Sequence, residues 1–249
     1  MLAFRSSTVL FILAGVLSTL PIHAGSIPIT NPGFQTVANV TGCSAGNTLF
    51  ANQFISTTNL GSGCQSADPF NGTWSVTGDV GVWFPSTGSP YPSGAPSGTN
   101  VGFLDSGSIS QILSSTVALG TYTLGVYIGG RCDIPINNYM VQLLAGGSTV
   151  IASDSNSLVP SLTGSGCGTF MHDTLTGTVS NGALVGENLK IVLSATGSND
   201  TTQTAAASIV IDFQELPPSV PEPATWVLTA LGVGVLLRLS SWGAAPRGR

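Results

Sequence analysis

The sequence predicts an all-β fold, an antiparallel β-sandwich of jelly-roll-like architecture, and three observations predict it. Apolar side chains recur at every second position: Tyr122, Leu124, Val126 and Ile128 alternate with Thr121, Thr123, Gly125 and Tyr127, and Leu189, Ile191 and Leu193 alternate with Lys190, Val192 and Ser194. Residues 25–217 carry no long helical stripe. Gly, Ser and Pro clusters cut the apolar runs into short pieces, the spacing expected of sandwiches and small barrels.

Taken in order, the strands are expected at 73–83, 101–113, 121–129, 139–144, 149–153, 169–179, 189–195 and 208–216. The fourth and fifth are joined through Ala145-Gly146-Gly147-Ser148, where glycine supplies positive φ, so they should form a hairpin. Segments 37–68 and 85–100 read as long loops, the places where a sandwich carries binding residues.

Composition narrows the class. Of 249 residues only 17 are charged (6 Lys+Arg and 11 Asp+Glu), about 7% against roughly 25% for a soluble domain. Polarity comes instead from 31 Ser, 27 Thr and 32 Gly, a surface suited to the outside of a cell. With so few bases there is no electrostatic footprint for nucleic acid. Residues 25–217 hold ten acids against Arg131 and Lys190, a net charge of −8, while the other four bases lie at the two ends of the chain.

Those ends read as membrane addresses. Arg5, an apolar run from Val9 to Leu20 and Ala24 before Gly25 have the order of a secretory signal, so residues 1–24 are expected to be removed on export. At the other end Pro217-Pro218-Ser219-Val220-Pro221-Glu222-Pro223 makes an extended linker. Residues 224–239 follow as an apolar helix of roughly 24 Å, at about 1.5 Å per residue, with Arg238 placed to snorkel. Arg247 and Arg249 close the chain on the side favoured for the cytoplasm.

Val220, Pro221, Glu222 and Pro223, the apolar helix and the basic tail Arg238, Arg247 and Arg249 together resemble the PEP-CTERM sorting signal of Gram-negative bacteria. The resemblance covers about thirty residues, 218–249, and the tail after Arg238 is longer than is usual in that family. It implies that the chain is an exosortase substrate. The precursor would be anchored in the inner membrane by its C-terminal transmembrane helix, then cut near the motif and passed to the cell surface or the extracellular matrix.

A looser resemblance attaches to residues 25–217. Asn31-Pro32-Gly33-Phe34, Trp74, Ser110-Gln111, Gly120-Thr121-Tyr122-Thr123-Leu124 and Ile211-Asp212-Phe213 are similar to the galactose-binding-like jelly rolls. That resemblance implies a structural Ca2+ near Asn31 and Asp212, although Gln35 stands where the family often has Glu. The residues themselves call for no cofactor.

Cys43, Cys64, Cys132 and Cys167 are an even set in a domain bound for an oxidising compartment, so disulfides are expected. Three pairings are possible; the sequential one, Cys43–Cys64 and Cys132–Cys167, is preferred. Zinc is disfavoured, since there is no Cys-x-x-Cys and His172 is the one His outside the signal.

Catalysis finds little support at this level. Gly42-Cys43-Ser44-Ala45-Gly46 matches the Gly-x-Ser-x-Gly string without a helix to follow it, and His172 sits beside Phe170 on an expected strand. Arg131 and Asp133, flanking Cys132, are expected to pair at the surface. Trp74 is expected in the core. Trp83, Phe84 and Tyr91 lie at a strand end and in a Pro/Gly/Ser loop, where aromatic faces could stack on sugar rings. The expectation is therefore a non-catalytic surface or matrix protein, with exopolysaccharide binding at Trp83, Phe84 and Tyr91 as the alternative.

Overall fold

The computed structural model describes residues 24–58, 63–85, 90–92, 94–196 and 204–215. Thirteen strands form in order: β1 (Ala24–Ser26), β2 (Ser44–Ala45), β3 (Thr48–Leu49), β4 (Phe54–Ser56), β5 (Cys64–Gln65), β6 (Ser75–Trp83), β7 (Val101–Thr116), β8 (Gly120–Gly130), β9 (Asn138–Ala145), β10 (Thr149–Ser155), β11 (Thr169–Val179), β12 (Asn188–Thr196) and β13 (Thr204–Glu215). The domain is an all-β sandwich whose pairs are antiparallel except β4–β5. Among the described residues no helix is long and apolar enough to cross a membrane. The expected span at 224–239, the sorting motif Val220–Pro223, the basic tail and the N-terminal signal up to residue 23 lie outside the described residues.

All eight expected strands are present, and β9 and β10 form the expected hairpin, with Ala145 opposite Thr149. Two expectations change. Segment 37–68 is not one loop: it contains the β2–β3 hairpin and the short strands β4 and β5, which extend the sheet beyond β6. Pieces of two or three residues are too short to show a period, and they form because their backbone groups find partners on a neighbouring edge. The last strand starts at Thr204 rather than 208, because Thr204-Ala205-Ala206 pair with β7 on one side and β8 on the other.

The two layers are joined by β7. Near its start, Gly102 to Leu104 lie between β6 and β13, whereas Gly107 to Ser110 lie between β6 and β12. The path β10-β9-β12-β7-β13-β8-β11 therefore turns over at mid-β7 and brings its two end strands, β10 and β11, against each other. A bulge between Asp79 and Val80 adds to the bend. Gly78 and Gly107 pair across the same place at φ 73° and 134°, and a Cβ on Gly107 would run into the Thr77 carbonyl.

Alternation then fills the interior. Tyr122, Leu124, Val126 and Ile128 of β8 meet Leu189, Ile191 and Leu193 of β12 and Val141 and Leu143 of β9 in one core. Trp74 is 2% exposed, as expected for a core residue. Its ring and that of Phe70 each lie 5.5 Å from Phe34, and its indole N–H donates to the Asn31 carbonyl at 3.1 Å.

Candidate functional site

The face of β8 and β11 that turns away from this core carries a second, smaller cluster. Because β8 spends one side of its alternation on Tyr122, Leu124, Val126 and Ile128, its other side presents Thr121, Thr123, Tyr127 and two glycines. Antiparallel register sets Tyr127 opposite His172 and Gly129 opposite Phe170. The glycines leave room for rings to lie across the strand: a Cβ on Gly125 would come 2.8 Å from His172 Nε2, and one on Gly129 2.5 Å from the Phe170 ring. Tyr127 and His172 meet edge to face at 4.9 Å.

Loops complete the cluster. Trp83, at the end of β6, stacks at 5.6 Å on Tyr91, and Tyr91 stacks at 4.6 Å on Phe170. Tyr91 is fully buried, and that burial pushes its phenol well above the usual range, against a smaller opposing pull from Arg131. The Arg131 guanidinium lies over the Trp83 ring, 5.4 Å from its centroid. As expected it pairs with Asp133, with Nε 2.8 Å from Oδ1, and this hydrogen bond holds the Asp133 carboxyl below its ordinary value. Beyond His172, whose Nδ1 is 3.0 Å from Thr174 Oγ1, the face turns to hydroxyls: Thr123 with Thr176 at 3.4 Å and Thr121 with Thr178 at 3.1 Å. One end of the face is therefore aromatic and the other is a ladder of neutral hydroxyls, with an imidazole between them.

Of the residues expected to bind, Trp83 and Tyr91 come together here. Tyr91 supports the cluster from beneath instead of meeting a ligand, since none of its surface is exposed. Phe84 does not belong to the site at all and packs on the main core. Tyr127, Phe170 and His172 were legible as strand residues but not as one site. The signal was the shared parity of Phe170 and His172, and what it lacked was the register with β8.

The disulfides follow the sequential pairing, Cys43–Cys64 with Cα atoms 6.1 Å apart and Cys132–Cys167 with 4.9 Å. The second ties the residue after Arg131 to the approach of β11, and so braces the aromatic end of the face. Ser44, in the Gly-x-Ser-x-Gly string, belongs to the two-residue strand β2; its Oγ donates to Ala38 O at 2.7 Å and accepts from Val40 N–H at 2.8 Å, which is turn chemistry. Where a calcium was implied, the Asn31 side chain is bonded to Thr36 and Thr73, and Gln35 Oε1 accepts from Thr99 N–H at 3.1 Å. These are neutral amides already in use, a poor match for an ion that prefers carboxylates. Asp212 lies inside β13, in register with Thr123 and Ser26.

The fold has close parallels in solved structures. It is similar to the Stig cyclase Fisc from Fischerella sp. TAU in complex with (3Z)-3-(1-methyl-2-pyrrolidinylidene)-3H-indole, at 21% identity and a TM-score of 0.57, covering 78% of this chain and 99% of that one. An apo cyclase from Fischerella sp. aligns at 22% identity and 0.56, covering 78% and 97%. A Fischerella sp. TAU cyclase in complex with 4-(1H-indol-3-yl)butan-2-one aligns at 20% and 0.52, covering 77% and 99%. Comparison with curated proteins finds no match. The model of the HpiC1-like family, described as HpiC1 cyclase, matches residues 25–213. That match spans nearly all of residues 25–217 and overturns the expectation of a non-catalytic surface protein, which rested on finding no nucleophile or carboxylate motif in linear sequence: the chain belongs to the HpiC1-like cyclase family.

Proposed function

We propose that residues 25–217 form a jelly-roll cyclase that closes a ring on an electron-rich aromatic substrate, indole-like in size, held on the outer face of β8 and β11. The observation that carries this reading is the grouping of Trp83, Tyr127, Phe170 and His172 outside the main core, in a chain of a cyclase family. Two of the Fischerella cyclase structures hold indole-bearing molecules, planar aromatics of the kind that pack on aromatic side chains.

The chemistry needs no co-reactant. A proton added to an unsaturated carbon of the substrate leaves an electron-poor centre, and the π electrons of a neighbouring bond close on it to form the new carbon–carbon bond. Loss of a proton from the resulting cation restores neutrality, so the product is an isomer of the substrate. His172 moves that proton at Nε2, because Nδ1 is bonded to Thr174. The π faces of Trp83 and Tyr127 stabilise the cation, and Arg131 over Trp83 is a resident instance of the same attraction. The address comes from the two ends: export by residues 1–24, then exosortase processing at Val220-Pro221-Glu222-Pro223 to give a surface enzyme.

Titration of the purified protein with 4-(1H-indol-3-yl)butan-2-one, followed by calorimetry, tests the site. Binding that Trp83→Ala weakens at least about tenfold is expected, roughly 1.4 kcal/mol. An indole ligand that binds equally well after Trp83→Ala and Tyr127→Ala would overturn the assignment. Intact mass of the surface form tests the address, since the C-terminal Arg249 should be missing from it.

A further inference from the structure

Across the seam between the two layers, β10 and β11 face each other with no backbone ladder between them: β10 is bonded to β9 and β11 to β8. Two carboxylates meet at this seam. Asp154 of β10 collects three donors on one oxygen, Oδ2, from Ser157 Oγ at 2.8 Å, Tyr139 Oη at 3.2 Å and Ser157 N–H at 3.3 Å. Asp173 of β11 sits on the core side opposite Val126, is 7% exposed, and its Oδ2 has no hydrogen-bond partner among the described residues.

The asymmetry decides where charge resides. Burial penalises a charge on Asp173, against a smaller opposing pull from the Thr174 backbone N–H, while the donors of the seam are directed at Asp154. The titratable groups facing Asp173 are Asp154 from β10 and Tyr139 from β9; β8 presents Val126, the connection 156–168 has no charged residue, and none of the groups acting on the Asp173 carboxyl is a cation. Burial first, and then the Asp154 charge, push that carboxyl up to about 6. Burial therefore favours the neutral form of the Asp173 carboxyl.

What the pair holds is the β10–β11 connection. Asp154 anchors Ser157, the Tyr139 hydroxyl accepts from Leu158 N–H at 3.1 Å, and Asn156 Oδ1 accepts from Tyr139 N–H at 2.7 Å, beside a cleft of about 280 Å³. Farther along, Leu162 is buried against Gly130, and Gly168 N–H donates to Gly130 O at 2.7 Å. We propose that Asp154 and Asp173 form a one-proton latch that keeps residues 156–168 closed over the seam and releases them when the Asp173 proton is lost. A second negative charge has no cation to neutralise it, and strands without a common ladder can separate to let water in.

Hydrogen exchange of the full chain, corrected for intrinsic rates, at about pH 4.5 and about pH 7.5 reads the latch directly. Amides of 156–168 and of β11 near Asp173 should exchange about tenfold faster or more at the higher pH, while the β8–β13 ladder stays protected. Asp173→Asn, which cannot ionise, should hold the connection closed at both pH values; Asp154→Asn should shrink the pH dependence without abolishing it, since Asp173 stays buried, and leave Ser157 less protected throughout. Equal protection of wild type at both pH values, or the same loss in Asp173→Asn, would overturn the proposal. If the variants fail to fold, carbon-13 carboxyl titration of wild type decides: one aspartate titrating near 6 supports the latch, and none above the ordinary range sinks it.

Discussion

Tyr127 and His172 stand directly opposite each other on β8 and β11, their rings 4.9 Å apart and edge to face, on the side of the sheet turned away from the core. Neither ring is needed to fill the interior, so replacing them should change chemistry more than stability. With an indole substrate, His172→Gln should lower turnover by about 10²- to 10⁴-fold and leave binding within a few-fold, the range for loss of a proton-transferring group. A steady-state assay beside a binding titration separates the two. Unchanged turnover would remove His172 from the reaction.

Gly107 should tolerate no side chain. At φ 134°, with the Thr77 carbonyl where its Cβ would go, Gly107→Ala forces β6 and β7 apart at the point where β7 changes layers. The expected cost is roughly 3 kcal/mol, read as a lower denaturant midpoint, whereas Gly182→Ala, with open space at its Cβ, should lie within about 0.5 kcal/mol of wild type.

Removing either disulfide should destabilise the domain, and the longer loop should matter more. Cys132 and Cys167 are 35 residues apart and Cys43 and Cys64 are 21 apart. Chain-entropy arguments give losses of about 4 and about 3 kcal/mol on replacing each pair by Ser. Loss of the first should also weaken ligand binding, because it frees Arg131 and the approach to Phe170; denaturation and titration of each double variant check both statements.

Global stability should fall as pH rises through the titration of Asp173. Its carboxyl lies near 6 in the folded protein against an ordinary 3.8, so between those values the folded state holds a proton that the unfolded state has lost. The contribution is fully present below about 3.8 and is gone above about 6, a difference of at most about 3 kcal/mol. Denaturant midpoints measured across this window in wild type and Asp173→Asn should agree at its acid end and diverge as pH rises, with the variant's flatter.

Much of the fold was legible in the chain because a period of two records which side of a strand is buried. Tyr122 to Ile128 and Leu189 to Leu193 declare their core faces with no knowledge of partners. The site was less legible for the same reason. Alternation marks Tyr127 and His172 as facing outward and says nothing of which strand lies beside which. Trp83 and Tyr91 could be singled out by their loop, but that Tyr91 is buried and Phe84 belongs to the core depends on how the loop folds back.

The sequence by itself determined the class of structure, the even set of four cysteines and the concentration of bases at the two ends, since each is a local or compositional property. Tertiary structure alone decided that β8 lies against β11, which brings Tyr127 to His172, and that β10 closes against β11, which brings Asp154 to Asp173. Those pairs lie 45 and 19 positions apart in the chain. Their chemistry arises from register and burial, which are properties of neighbours and not of the residues themselves.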